Sequence, residues 1–281
     1  KKSKFIFFDK NFNFVGETDC EIKNIDNYVY NFGGQWYYLP IGQEKDVKLN
    51  KLRYIGENTL QNKCSSFLGV HGQYELLSGS GNYADWCKKA KFLGVKHFGI
   101  VEKNTLAGVL KFQIECTKND IHPILGMEVS VYKPEEDYTY TVKVYVKNEE
   151  GWHNLLTVNK LINCENNKFI SEEEFYKLTE GLIVVLDPKT LDYDKWNKYQ
   201  GVDYYQLDTL EYSKEDRDRW YLNNLKKFAN SKLSPVNIED AYYLDKDYAI
   251  IRKHLHSLGG TSFYASKNQS LFLLSYSRIP C

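Results

Sequence analysis

The pattern of hydrophobic and polar residues changes near residue 65. Before that point, KFIFFDKNFNFVGE (4–17) and NYVYNFGGQWYYLP (27–40) each hold two apolar runs around a polar or glycine-containing turn. This arrangement is typical of β-hairpins, and Gly33-Gly34 suits the second turn. We therefore predict a small β-rich extension over residues 1–64.

From residue 65 onward, short apolar runs alternate with amphipathic segments. The runs that predict strands are HFGIV (97–101), HPILGMEVSVY (122–132), YTVKVYVK (140–147) and GLIVVLD (181–187). In the third run, apolar residues alternate at Val142, Val144 and Val146, which is the spacing of a strand with one apolar face. Each run is long enough to form one strand, and we expect the strands to form one sheet.

Helical periodicity separates the predicted strands. YADWCKKAKFLG (83–94) predicts a helix that ends at Gly94, and SEEEFYKL (171–178) places Ser171 and Glu174 at capping-box spacing. In TLAGVLKFQIECTKND (105–120), the predicted apolar face consists of Leu106, Val109, Leu110 and Ile114. Two further helices are predicted in 213–230 and 245–260. Such alternation favours an α/β fold with a mainly parallel sheet and a functional site at the carboxyl ends of its strands.

Composition narrows the function classes. The 281 residues include 37 Lys+Arg and 37 Asp+Glu, and the resulting zero net charge argues against a general nucleic-acid coating protein. No run reaches the roughly 18 apolar residues of a membrane span, so we expect no membrane partner. The six cysteines form no C-x-x-C pair and indicate reduced thiols in a cytoplasmic protein. The abundance of tyrosine is typical of an AT-rich genome such as that of a bacteriophage.

The segment FLGVHGQYELLSG (67–79) leads from an apolar strand end into a loop that carries His71. Loops of this kind present metal ligands at the mouth of an α/β fold, but Gly69 and Gly72 offer no side chain as a second donor. His254 and His256 are two residues apart on a predicted helix and cannot share one face. The sequence contains no P-loop, nucleophile elbow or dinucleotide-binding fingerprint.

Four segments together resemble a known family. GVHGQYELLSG, HFGIVEKNTLAGVLKFQIECTKNDIHPILGMEVSVY, VKNEEGWHNLL and EDAYYLDKD follow the order and spacing of the polymerase and histidinol phosphatase (PHP) domain, in particular the version in the bacterial DNA polymerase III alpha subunit. The resemblance covers about residues 65–265. It implies a distorted PHP-type α/β barrel over residues 65–281, preceded by the β-rich N-terminal extension.

The resemblance also implies a degenerate metal site. Members of the family bind up to three divalent ions, and the matching positions that keep a donor here are His71, Glu102, Glu128 and Asp240. The ligand positions that carry another residue are Gly69, Lys103, Thr141 and Tyr242. A transition metal takes roughly three to four protein donors, so at most one ion could be held. We expect no catalytic residue and no cofactor or, if any, a single Zn, Mn or Mg ion.

Lys103 supports a more specific hypothesis. Its ammonium could supply the positive charge that metals give elsewhere in the family, turning the cluster of remaining carboxylates into a salt-bridge network. The alternative is that Lys103 points into solvent. His71 has two interpretations as well: a hydrogen-bonded remnant or a working ligand.

Three functions follow from these observations. The first is a non-catalytic module of DNA replication that scaffolds the polymerase or docks another replication protein. The second is a metal-dependent phosphoesterase or 3′–5′ exonuclease with a reduced site. The third is a single-stranded-DNA-binding accessory in which Trp36, Tyr37 and Tyr38 stack on bases. We favour the alternative that these aromatics fill a small β core or dock it on the barrel, because no dense basic run accompanies them. The polymerase palm motifs are absent, and the chain either stands alone or represents the N-terminal region of a polymerase.

Overall fold

The computed structural model divides the chain into two compact units, Lys1–Lys63 and Cys64–Cys281. The described residues are 66–164, 168–207, 216–244 and 248–260, together with the backbone of four strands in the first unit. These strands are β1 (Phe5–Phe8), β2 (Phe14–Thr18), β3 (Asn27–Phe32) and β4 (Gln35–Pro40). The antiparallel pairs β1–β2 and β3–β4 are the two predicted hairpins. Their turns, and the side chains of Trp36, Tyr37 and Tyr38, lie outside the described residues.

The second unit is built around one mixed sheet. Its nine described strands are β5 (Ser66–Val70), β6 (His97–Ile100), β7 (His122–Lys133), β8 (Tyr138–Val146), β9 (Ile170–Ser171), β10 (Leu182–Leu186), β11 (Val202–Leu207), β12 (Ser234–Asn237) and β13 (Asp240–Ala241). The order across the sheet is β12-β11-β10-β8-β7-β6-β5-β13, with β9 beside β7. Strand β8 runs antiparallel to both neighbours, and the other pairs are parallel.

The two edges of this sheet are consecutive in the chain. Strands β12 and β13 lie at opposite ends of the strand order, yet Ile238 and Glu239 alone connect them. A sheet whose edge strands are joined so closely must curl toward itself. The fold is therefore the distorted α/β barrel that the sequence predicts, with a mixed rather than uniformly parallel sheet.

Six helices accompany the described strands. They are α1 (Tyr83–Phe92), α2 (Val109–Lys118), α3 (Glu149–Cys164), α4 (Glu172–Lys177), α5 (Asp216–Ala229) and α6 (Ala249–Leu258). Helix α1 ends before Gly94, which has a φ of 75°, and the Ser171 hydroxyl accepts a hydrogen bond from the Glu174 amide, as predicted. Across the described part of the chain, no helix has the length and apolarity to cross a bilayer.

The predicted apolar face of α2 is correct at Leu106 and Val109 and wrong at Leu110 and Ile114. Val109 is buried, and Leu106, which precedes the helix, packs against the core. Leu110 and Ile114 are 68% and 45% exposed, whereas Phe112 and Cys116 are fully buried. The Phe112 ring lies 5.4 Å from that of Phe98 on β6, so the aromatic residue determines which side of the helix meets the sheet. Leu110 and Ile114 lie on the neighbouring side of the helix, so the spacing of apolar residues in the sequence is compatible with either side facing the sheet.

Strands β7 and β8 separate two interiors. Met127, Val129, Val142 and Val144 face the helices and form an apolar core with Leu155 of α3. The alternate residues of the same strands face the inside of the barrel because successive side chains point to opposite faces. Those residues include Glu128, Thr141 and Lys143, and all three are buried.

Candidate functional site

Strand pairing brings the predicted site residues to one end of the barrel. His71 follows β5, and Asp240 lies in β13, whose pairing partner is β5 with Asp240 opposite Gly69. Glu102 follows β6, and Glu128 lies in β7 beside it. Consecutive parallel strands present their carboxyl ends at the same edge, which explains how residues so distant in sequence meet.

His71 is held between two carboxylates. Its Nδ1 lies 2.5 Å from Glu75 Oε2 and its Nε2 lies 3.0 Å from Asp240 Oδ1, and the ring is fully buried. The Tyr242 ring stacks on the imidazole at 4.1 Å between centroids. Burial lowers the pKa of His71, but the charges of Glu75 and Asp240 outweigh burial and raise the pKa to about 9. His71 is therefore an imidazolium near neutral pH, with both ring nitrogens engaged.

The Lys143 ammonium lies at the centre of the interior. Its Nζ is 2.8 Å from Gln206 Oε1, 3.2 Å from Asp240 Oδ2 and 3.4 Å from Glu128 Oε2. The side chain is 1% exposed. Burial lowers the pKa of Lys143, but Asp240 and Glu128 raise it above the usual value for lysine. The ammonium therefore stays charged and cannot serve as a nucleophile or a base.

Two further lysines approach the same carboxylates. Lys189 Nζ lies 3.3 Å from Asp240 Oδ2, and Lys103 Nζ lies 3.7 Å from Glu128 Oε1. Lys189 is largely buried, whereas the Lys103 side chain is 46% exposed. Burial raises the pKa of Asp240, but Lys143, Lys189 and His71 together hold it well below the usual range. Asp240 is thus ionised and shared by three cationic groups.

Opposite charges face each other in this part of the barrel. Ion pairs of 4 Å or less join the cationic His71, Lys103, Lys143 and Lys189 to the carboxylates of Glu75, Glu128 and Asp240. Asp187 adds a further negative charge, which helps to raise the pKa of Lys143. The pairing of opposite charges removes much of the electrostatic cost of burying them.

Three of the substituted ligand positions are occupied by packing. An added Cβ at Gly69 would lie 2.1 Å from the Glu239 carbonyl oxygen, so the backbone of the neighbouring strand fills the space of any side chain. The Thr141 hydroxyl lies 2.9 Å from that of Thr190 and donates to Asp187 Oδ2 at 3.3 Å. The Tyr242 ring is covered by the Arg252 guanidinium, 3.5 Å from its centroid.

Glu102 has different partners from the other predicted donors. Its Oε1 accepts hydrogen bonds from the Tyr83 hydroxyl and the Tyr74 amide, while its Oε2 is buried with no partner among the described residues. Burial raises the pKa of Glu102 to about 7, and the negative charge of Glu75 adds to this effect. The structure thus joins His71, Glu128 and Asp240 in one network and leaves Glu102 beside it.

The donors present do not fit a metal cluster. Among the described residues, no group of three or more His, Cys, Asp or Glu side chains is arranged to hold a metal ion. Both nitrogens of His71 are engaged, and the inward-facing oxygens of Glu128 and Asp240 contact Lys143. A metal ion bound to the same oxygens of Glu128 and Asp240 would be repelled by the positive charge of the Lys143 ammonium.

Sequence reasoning missed five members of the network: Glu75, Lys143, Asp187, Lys189 and Gln206. Lys143 falls between Val142 and Val144, and such alternation is typical of a strand whose polar face meets solvent. The signal that could have found it is the barrel itself, because both faces of a barrel strand are buried. Glu75 lies four residues after His71 but in a turn, outside any helical pattern.

Comparison with known proteins identifies a family and several relatives to which this chain is similar. The family model described as the PHP domain matches residues 68–232. The DNA polymerase III subunit alpha of Borreliella burgdorferi is 31% identical over 128 residues, which are 41% of this chain and 11% of that protein. The same subunit of Staphylococcus epidermidis is 28% identical over 193 residues, which are 68% of this chain and 16% of that protein. The chain thus spans a small part of these curated relatives.

Solved structures show a weaker likeness. An amidohydrolase from Chromobacterium violaceum with bound sulfate aligns with 64% of this chain and 88% of its own, at 10% identity and a TM-score of 0.42. This level of similarity supports no conclusion about chemistry.

Proposed function

Since the chain belongs to the PHP domain family, we propose that it is the PHP portion of a replication protein of the DNA polymerase III alpha type. In this role it scaffolds the polymerase or docks another replication protein, and it catalyses no reaction of its own. It needs no cofactor, or at most a single divalent ion. Its partners are the DNA polymerase and other replication proteins, with DNA reached through them.

The ammonium of Lys143 between Asp240 and Glu128 is the observation that carries this proposal. Metal-assisted phosphoester hydrolysis requires cations that clamp the phosphate and lower the pKa of a bound water. Here the carboxylates that could hold such ions are neutralised by groups of the protein. A barrel whose carboxylates are paired with lysines keeps the fold of the family, and we infer that it contributes to assembly of the replication proteins rather than to hydrolysis.

The first experiment tests the absence of catalysis. The chain is purified without metal, and its metal content is measured after incubation with Zn²⁺, Mn²⁺ or Mg²⁺. A 3′-labelled oligonucleotide is then incubated with each sample, with Asp240→Asn as the control for contaminating nuclease. We expect less than one tightly bound ion per chain and no shortening of the oligonucleotide beyond that control.

The opposite result has a defined meaning. Stoichiometric metal together with exonuclease activity that disappears in Asp240→Asn would assign the chain to the metal-dependent phosphoesterases instead. Metal binding without activity would leave the scaffold role in place with one structural ion.

The second experiment tests the partner. A tagged chain expressed in its native host should copurify with the replicative polymerase or its accessory proteins, at a salt concentration that removes nucleic acid. In a parallel purification at low salt, retention of single-stranded DNA without any replication protein would favour the third function, a DNA-binding accessory.

A further inference from the structure

The surroundings of Lys143 Nζ match the requirements of a bound cation. An ammonium carries three N–H donors, and three oxygen acceptors surround this one: Gln206 Oε1, Asp240 Oδ2 and Glu128 Oε2. Carboxylate and amide oxygens are also the ligands that hard divalent ions prefer. The donor set is thus suited to a cation of either kind.

The remaining contacts orient these oxygens toward the ammonium. The Gln206 side-chain amide donates to the Ile238 carbonyl at 2.8 Å, which directs its Oε1 toward Lys143. The second oxygen of Asp240 is held by His71 at 3.0 Å. Because the cage is built from three different strands, its geometry depends on the fold and not on local sequence.

We propose that the Lys143 ammonium is a resident cation of the barrel, which occupies a cation site and makes folding independent of divalent metal. Removal of this one charge should expose a site that accepts a metal ion from solution. The inference rests on the same Lys143 contacts as the absence of catalysis in the proposed function. Its test measures stability and metal response, so its failure is distinguishable from a failure of the replication role, which copurification tests.

The test replaces Lys143 with methionine, which keeps most of the side-chain length without the charge. Glu128 and Asp240 would then face each other with less compensation, and we expect the melting temperature to fall by about 10 °C in EDTA. Mn²⁺ or Mg²⁺ at millimolar concentration should restore at least half of this loss and bind at about one ion per chain, measured by elemental analysis. The wild-type melting temperature should not respond to either ion.

Two control variants separate the cation site from general charge loss. Lys189→Met removes an equal charge from Asp240 but not from Glu128, and its more exposed position predicts a smaller shift that does not respond to metal. The double variant Lys143→Met/Glu128→Gln removes one positive and one negative charge. It should regain stability in EDTA and lose the response to metal.

Each outcome decides the question. A Lys143→Met protein as stable as wild type in EDTA would overturn the proposal, and so would a destabilised protein that no divalent ion stabilises. If the single variant does not fold, recovery of folding by Mn²⁺ during refolding, or by the added Glu128→Gln change, supports the proposal. Failure of both to restore folding overturns it.

Discussion

The two sides of strands β7 and β8 are both buried, but their chemistry is opposite. The outer side packs Met127, Val144 and their neighbours against Leu155 in an apolar core. The inner side encloses Lys143 between Glu128 and Asp240. Apolar packing tolerates small losses one methyl at a time, whereas an ionic interior depends on every partner because a charge left alone stays buried. The inner side is therefore more sensitive to single changes than the outer one.

The largest expected effect comes from the inner side. Asp240→Ala removes an acceptor shared by His71, Lys143 and Lys189, and leaves their positive charges uncompensated. We expect the free energy of unfolding to fall by about 4 kcal/mol, measured by urea denaturation. Asp203→Ala, at an exposed position of β11, is the matched control and should change it little. Equal effects of the two variants would contradict the comparison.

The outer side should give a smaller loss. Leu155→Ala leaves a cavity in the apolar core and should lower the free energy of unfolding by about 3 kcal/mol. Leu110→Ala on α2 removes the same atoms from a side chain that is 68% exposed, so its effect should stay within about 0.5 kcal/mol. A loss at Leu155 greater than that at Asp240 would reverse the order of the two sides.

The Glu102 carboxyl lies beside the ionic interior, and its raised pKa predicts that the stability of the fold depends on pH. Its pKa of about 7 exceeds the ordinary value of 4.5, so the folded state favours the neutral acid. This stabilisation is fully present below about pH 4.5 and is lost as the pH rises through 7. Glu102→Gln should therefore be more stable than the wild type by about 3 kcal/mol at pH 8 and by less than about 1 kcal/mol at pH 5. Thermal unfolding at both pH values measures this, and a difference independent of pH would show that Glu102 is ionised throughout.

The smallest effect is expected from a charge pair outside the barrel. Lys91 Nζ lies 3.1 Å from Asp120 Oδ2, but the two side chains are 54% and 88% exposed. Lys91→Ala should lower the free energy of unfolding by about 0.5 kcal/mol or less, and 1 M NaCl should remove the difference. A loss comparable with that of Asp240→Ala would mean that burial does not set the value of these ion pairs.

The sequence predicts the framework of the fold better than its interior. The apolar runs at 97–101 and 181–187 form β6 and β10, and Ser171 caps α4. These features follow from local patterns. The resemblance, rather than any local pattern, indicated that Glu128 and Asp240 would lie close together.

The ionic interior could not be predicted, because its members become neighbours only through the barrel. Lys143 has the local signature of a solvent-facing strand residue, and Gln206 has no distinguishing signature at all. A lysine among the carboxylates was expected at Lys103, and Lys103 Nζ does lie 3.7 Å from Glu128. The buried ammonium is nevertheless that of Lys143, since its strand runs through the middle of the sheet.

The closure of the sheet by β13 has a consequence for synthesis of the protein. In the pairing of β13 with β5, Asp240 lies opposite Gly69, 171 positions earlier, so β5 has a free edge until that length of chain has left the ribosome. At about 5 to 20 residues per second, this interval lasts roughly 10 to 30 s. An unpaired strand edge is a template for aggregation, and contacts of such long range slow folding. A nascent chain that stalls before residue 240 would thus carry the histidine with only one of its two counter-charges and β5 without its partner β13, so we expect chaperones to bind it.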